Sequence, residues 1–142
     1  MALDLTALAA STTTLVCLDC PEGTEVGLDL FVASAGPQFL GFKLLREGAH
    51  LLVSAPRAGA LRSSLWFHAP RGGVVRVARW DPDEERFALL PLGCAGDGAA
   101  RAAAGAAAAL ALDARLGACP LERAAEKIYK KMKMNVRRGQ YL

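Results

Sequence analysis

Between residues 12 and 90, apolar side chains come in short bursts separated by glycine, proline and charge, which is the pattern of strands joined by turns. Residues 12–18 are rich in β-branched side chains and predict a strand, followed by a turn at Pro21 and Gly23. Residues 27–32 predict a second strand before Gly36-Pro37 breaks the chain. In residues 39–45, Phe39, Gly41, Lys43 and Leu45 fall on one side and Leu40, Phe42 and Leu44 on the other, which is read as the core face. A turn at Gly48 and a strand over 50–54 then predict a hairpin with the segment before it, and 56–62 is loop. Pro70-Arg71-Gly72-Gly73 between Leu65-Trp66-Phe67-His68 and residues 74–80 is the strongest local hairpin signal. Apolar residues occupy both faces of that second arm, so alternation leaves its buried face open. After a turn at Asp81-Pro82-Asp83, residues 86–90 predict a returning strand.

From residue 99 the character changes. Alanine, leucine and arginine dominate to Leu116, predicting a helix that places Leu110, Leu112 and Leu116 on the sheet and stops near Gly117 and Pro120. Gly105 weakens this helix by roughly 1 kcal/mol relative to alanine. Residues 121–134 predict a second helix, with Leu121, Ala125, Ile128 and Met132 at helical spacing, and residues 3–10 a short leading one. About seven strands followed by one or two C-terminal helices, with no strand–helix alternation, predict a mainly β fold: an antiparallel sandwich or open barrel.

The 142 residues are 53% apolar and 22% charged, the composition of one globular domain. Such a length buries roughly two-thirds of the unfolded surface, enough for a core without metal or disulfide staples. The uncharged, alanine-rich stretch 102–112 is about half the roughly 20 residues a membrane helix needs. Asp4 and Asp19, with no lysine or arginine near the start, argue against an export signal, so the four cysteines are expected to stay reduced. The net charge of +3 is divided: residues 1–121 hold ten basic and twelve acidic side chains, while 122–142 hold seven and two. The sequence is therefore divided into a β-rich unit with its closing helix, 1–121, and a basic tail, 122–142.

Candidate chemistry is sparse. Cys17-Leu18-Asp19-Cys20 has the spacing of a zinc or redox pair, but Cys94 and Cys119 do not supply a second pair, so buried structural thiols are expected. No serine among Ser54, Ser63 and Ser64 has a nucleophile-elbow context to combine with His50 or His68 and Asp81. Residues 23–27 contain glycines without the phosphate-cradle pattern, and Asp83, Glu84 and Glu85 read as a solvated cluster. No cofactor or metal is expected, and no enzymatic activity.

Several phrases, taken in order, resemble one family. Pro21-Glu22-Gly23-Thr24-Glu25-Val26-Gly27-Leu28-Asp29 resembles the P-x-G-T-x-x-G-(aliphatic)-D signature of the A1-cistron-splicing factors, assembly factors for the U5 snRNP. Gly36-Pro37-Gln38-Phe39-Leu40-Gly41-Phe42-Lys43 is similar to its G-P-x-F-x-G-x-K, and Gly48-Ala49-His50 to the G-x-H that follows. Arg71-Gly72-Gly73 through Arg79-Trp80 and Leu116-Gly117-Ala118-Cys119-Pro120 resemble its R-G…R-W and L-G-x-x-P. Arg46-Glu47 stands where the family usually has two prolines, and the match fades after Pro120.

The resemblance implies a noncatalytic N-terminal β-rich domain that precedes a larger helical one. It also implies a partner, the large U5 snRNP core protein through its RNase H-like and MPN-type domains, and a location in nucleus and cytoplasm. The partner-binding residues it suggests are Gly23, Thr24, Gly27, Asp29, Gly36, Pro37, Phe39, Lys43 and His50. The alternative reading is a small RNA-binding module acting through Lys127, Lys130, Lys131, Lys133, Arg137 and Arg138, with Tyr129 and Tyr141 as stacking groups.

Overall fold

A computed structural model describes residues 11–118 apart from Leu30, Ala95 and Leu110. The expected helices over 3–10 and 121–134, and the basic tail, lie outside the described residues. Nine strands are present among those described: β1 (Thr13–Leu18), β2 (Glu25–Leu28), β3 (Phe31–Ser34), β4 (Gly41–Leu45), β5 (Gly48–Ala55), β6 (Ser63–Ala69), β7 (Val75–Asp81), β8 (Arg86–Leu89) and β9 (Leu116–Ala118). One helix, α1 (Gly98–Ala108), and a 3₁₀ turn, Asp113–Arg115, separate the last two strands. The strands form two sheets, ordered β8-β7-β1-β4-β9 and β3-β2-β5-β6. The expected β-rich sandwich with a C-terminal helix is what the chain forms.

Three layers result. The five-stranded sheet lies in the middle, because β1 is apolar on both faces. Leu15 and Cys17 join Leu45, Ala78, Trp80 and Phe87 against Val26, Leu28, Leu52 and Phe67 of the four-stranded sheet. Trp80 and Phe87 meet edge to face at 5.1 Å, an arrangement that suits the ring quadrupoles. On the other face Val16 and Val77 lie under Ala100 and Ala107 of α1, with Ala103, Ala104 and Leu112 beside them. Alanines three and four apart keep this face of the helix small, so its backbone approaches the sheet closely.

The pairing differs from the expected one in several places. Residues 27–32 are not one strand: β2 and β3 form a hairpin in which Leu28 pairs with Phe31. Asp29 makes the turn in the left-handed region, φ 56, which aspartate tolerates better than most residues. The two hairpins predicted at Gly48 and at Pro70–Gly73 are sheet crossings, since β4 and β7 belong to one sheet and β5 and β6 to the other. At the second crossing Gly72 and Gly73 have φ 87 and 75, and a Cβ on Gly73 would lie 2.4 Å from the Thr12 carbonyl. The double glycine thus lets the chain turn past Thr12 and enter beside β1. Strand β7 then runs parallel to β1, and β9 parallel to β4, so the middle sheet is mixed rather than antiparallel.

In β4 the regular alternation breaks as well. Leu44 has φ 65, and the register steps from Leu15↔Phe42 to Thr13↔Leu45, a bulge that puts Leu45 in the core with Phe42. Helix α1 ends at Ala108 rather than Leu116, and its buried contacts are alanines. Leu116 starts β9 instead, where Gly41 receives it as a partner, and Leu110 lies outside the described residues.

Candidate partner-binding site

Of the nine residues singled out by the resemblance, Gly23, Thr24, Asp29, Gly36, Pro37, Phe39 and His50 lie about the two ends of the β2–β3 hairpin, and Gly27 lies within β2. At the first end Gly23 turns with φ 86 and its N–H donates to the Ala35 carbonyl, while the Ala35 N–H donates to the Thr24 carbonyl. Gly36 and Pro37 follow, both exposed, and Phe39 packs edge to face on Phe42 at 5.4 Å. Thr24 is fully buried, and Gly27 is enclosed by its neighbours. A Cβ on Gly27 would sit 2.6 Å from both the Phe31 carbonyl oxygen and Val53 Cγ2. These two residues shape the sheet rather than present side chains at its surface. Lys43 lies apart from the rest, on β4 in the other sheet, paired in register with Ala118.

At the second end Asp29 and His50, 21 residues apart, meet. One Asp29 carboxylate oxygen lies 2.8 Å from His50 Nδ1, and the other accepts the Leu51 N–H at 2.9 Å. His50 Nε2 is 2.6 Å from the Arg46 carbonyl, and the ring stacks on Phe67 at 5.7 Å. Both imidazole nitrogens therefore face acceptors. A neutral ring has one N–H to offer, so this arrangement is complete only in the imidazolium. The hydrogen bond to Asp29 raises the His50 pKa above its ordinary 6.5 against the opposing effect of burial, with the Arg46 carbonyl adding to the rise. Burial alone would raise the Asp29 pKa, but the bonds from His50 and the Leu51 N–H outweigh it and hold the carboxyl below its ordinary 3.8.

This network ties the β2–β3 turn to the crossing between sheets. It leaves no free ring nitrogen on His50 to serve a nucleophile, so its chemistry is that of a clamp. His68 is exposed on β6, in register with Ala49, so alternation puts it on the opposite face of the sheet from His50. Cys17 and Cys20 reach the same core cluster because Asp19, at φ 61, turns the chain between them. Burial raises the pKa of both thiols, the state of unreactive structural cysteines. Among the described residues no group of three or more His, Cys, Asp or Glu side chains is placed to hold a metal ion.

Sequence reasoning missed a second clamp. Arg79 on β7 forms a two-pronged ion pair with Asp97 and reaches Asp19 at 3.3 Å. Asp97 is also the N-cap of α1, accepting the Ala100 N–H at 3.0 Å. An aspartate just ahead of an alanine run is a helix-start signal that marks it in the sequence. Sequence reasoning also passed over β3. The two segments it favoured, 23–29 and 36–50, enclose this strand, whose four residues are all exposed.

What these observations define is a class: a two-sheet β domain with crossed-over strands, a helix on one face, and clamped turns around an open strand. The model of the AAR2 N-terminal domain matches residues 11–139, and the chain belongs to that family. It is similar to the Protein AAR2 homolog of Mus musculus, 33% identical over an alignment of 84 residues that covers 55% of this chain and 22% of the relative. The Caenorhabditis elegans homolog is 31% identical over 77 residues, 51% of this chain and 20% of that protein. The Homo sapiens homolog is 31% identical over 84 residues, with 55% and 22% covered. The match thus spans about a fifth of the length of these curated relatives.

Proposed function

We propose that this chain is a noncatalytic splicing-factor domain that assists U5 snRNP assembly by binding the large U5 core protein, through that partner's RNase H-like and MPN-type domains, in nucleus and cytoplasm. The observation that carries the reading is membership of the AAR2 family through its N-terminal domain. The geometry supports it: parts of three family-like phrases, at Gly23, Gly36, Asp29 and His50, meet at the two ends of one hairpin, and exposed loops held by a rigid sheet are where contacts are usually placed. His50, with both nitrogens engaged, agrees with a structural duty.

The test is direct binding of the full chain to the RNase H-like and MPN-type portion of the U5 protein, with a single-stranded RNA oligomer in parallel. Saturable binding to the protein, unchanged when Lys127, Lys130, Lys131, Lys133, Arg137 and Arg138 are replaced by glutamine, supports assembly through the folded domain. Binding to RNA alone, steeply salt-dependent and abolished by those replacements, replaces this reading with the RNA-binding one.

A further inference from the structure

The four-stranded sheet has one edge that its own chain leaves open. The Asp29 N–H donates to the Leu51 carbonyl at 2.8 Å, so the odd-numbered residues of β2 bond toward β5 and Leu28, Val26 and Thr24 bond toward β3. On β3 the matching residues are Phe31, Ala33 and Ala35. The N–H and C=O groups of Val32 and Ser34 consequently point away from the sheet, and β3 is its terminal strand. No described residue pairs with them.

Natural edges are usually blunted by charge, proline, a bulge or extreme shortness. The other edges obey this or are covered. Strand β8 starts at Arg86 beside Glu84 and Glu85, β9 spans three residues, and β6 adjoins β8 where the two sheets meet. Phe-Val-Ala-Ser of β3 carries no charge, and Phe31 and Val32 are 38% and 43% exposed on opposite faces. It is an unprotected template for one more strand.

We propose that β3 receives an extended strand of the partner protein, which adds to the sheet as its fifth strand through the backbone groups of Val32 and Ser34. This rests on the partner-binding reading above. Backbone pairing would supply the affinity. Phe31 and Ala33 on one side and Val32 and Ser34 on the other select a strand that is uncharged on both faces. Two other occupants fit less well. A second copy pairing edge to edge brings only another four-residue strand to the contact, whereas a partner's longer extended segment can continue past the edge and bury further surface. The chain beyond Ala118 is rich in lysine, alanine, glutamate and methionine, residues that favour helix over an extended strand.

The test combines residue-resolved amide exchange with binding, using the full chain and the RNase H-like and MPN-type portion of the U5 protein. The expected result is that the Val32 and Ser34 amides exchange freely in the isolated chain and become protected in the complex. Val32→Pro and Val32→Lys should weaken binding by about tenfold or more, while Val32→Thr leaves it near the original. Near-ultraviolet circular dichroism of Trp66 and Trp80 checks that each variant keeps its fold. Undiminished binding by both Val32→Pro and Val32→Lys, with Val32 and Ser34 unprotected, overturns the strand addition while the assembly reading stands. Failure of the original chain to bind overturns both. Protection of these amides in the isolated chain also overturns it, assigning the edge to a second copy if protection rises with concentration and to the chain's own remainder if it does not.

Discussion

At the scale of single residues, the Asp29–His50 pair makes the stability of this domain depend on pH in a direction that can be worked out. His50 has a folded pKa above 6.5, so its contribution is fully present below pH 6.5 and is lost as pH rises through the folded value. Asp29 has a folded pKa below 3.8, so its contribution is present above pH 3.8 and is lost as pH falls through the folded value. The clamp is at full strength between those limits. Thermal unfolding midpoints should fall as the solution is made alkaline from pH 6, and His50→Gln should remove that limb. Asp29→Asn keeps a residue that tolerates the left-handed turn but removes the charge. It should cost about 1–2 kcal/mol at pH 6, a modest figure because the carboxylate is 38% exposed, and the difference should shrink by pH 9. Midpoints of Asp29→Asn that keep the alkaline fall of the original chain would show that the carboxylate does not set it. The two residues were each legible in the sequence as parts of separate phrases, but their contact was not. Nothing local in Leu28-Asp29 or Ala49-His50 says that two strands of one sheet will bring them within 2.8 Å.

At the scale of elements, local signals fixed where the chain turns but not where it goes next. Pro70-Arg71-Gly72-Gly73 has the composition of a hairpin turn, yet its glycines serve a crossing into the other sheet, because the competing partner, β1, lies some sixty residues earlier. Strand β5 is likewise placed by β2 and β6 and not by the β4 that precedes it. Alanine content did locate α1 correctly at its start, and two predictions belong to that helix. Gly105 is exposed, and a Cβ there would meet nothing within 4 Å. Gly105→Ala should therefore stabilise the domain by about 0.5–1 kcal/mol, measured as a higher urea midpoint at unchanged slope. Asp97 acts twice, as cap and as the partner of Arg79. Asp97→Asn keeps the cap and loses the ion pair, whereas Asp97→Ala loses both. The urea midpoint should fall in that order, and equal midpoints for the two variants would assign the whole effect to the Arg79 pair.

At the scale of the whole molecule, the mixed sheet makes β1 the strand on which both cores depend. It is bonded on one side to β7 and on the other to β4, with one face in the core between the sheets and the other under α1. Both of its bonded neighbours are distant in sequence, so the domain closes only when long-range pairings form, and its cooperativity should centre there. The open β3 edge lies at the opposite extreme, bonded to β2 alone among the described residues. Native-state amide exchange should reveal this gradient. The amides of Leu15, Val16 and Cys17 should exchange last, at a free energy near that of global unfolding, and those of Val32 and Ser34 first. The order bears on the proposed strand addition, which needs an edge that is ready without opening the core. Slow exchange confined to the four-stranded sheet, with β1 exchanging early, would instead place the stable unit around β5 and make the parallel β1–β7 pairing the part that yields.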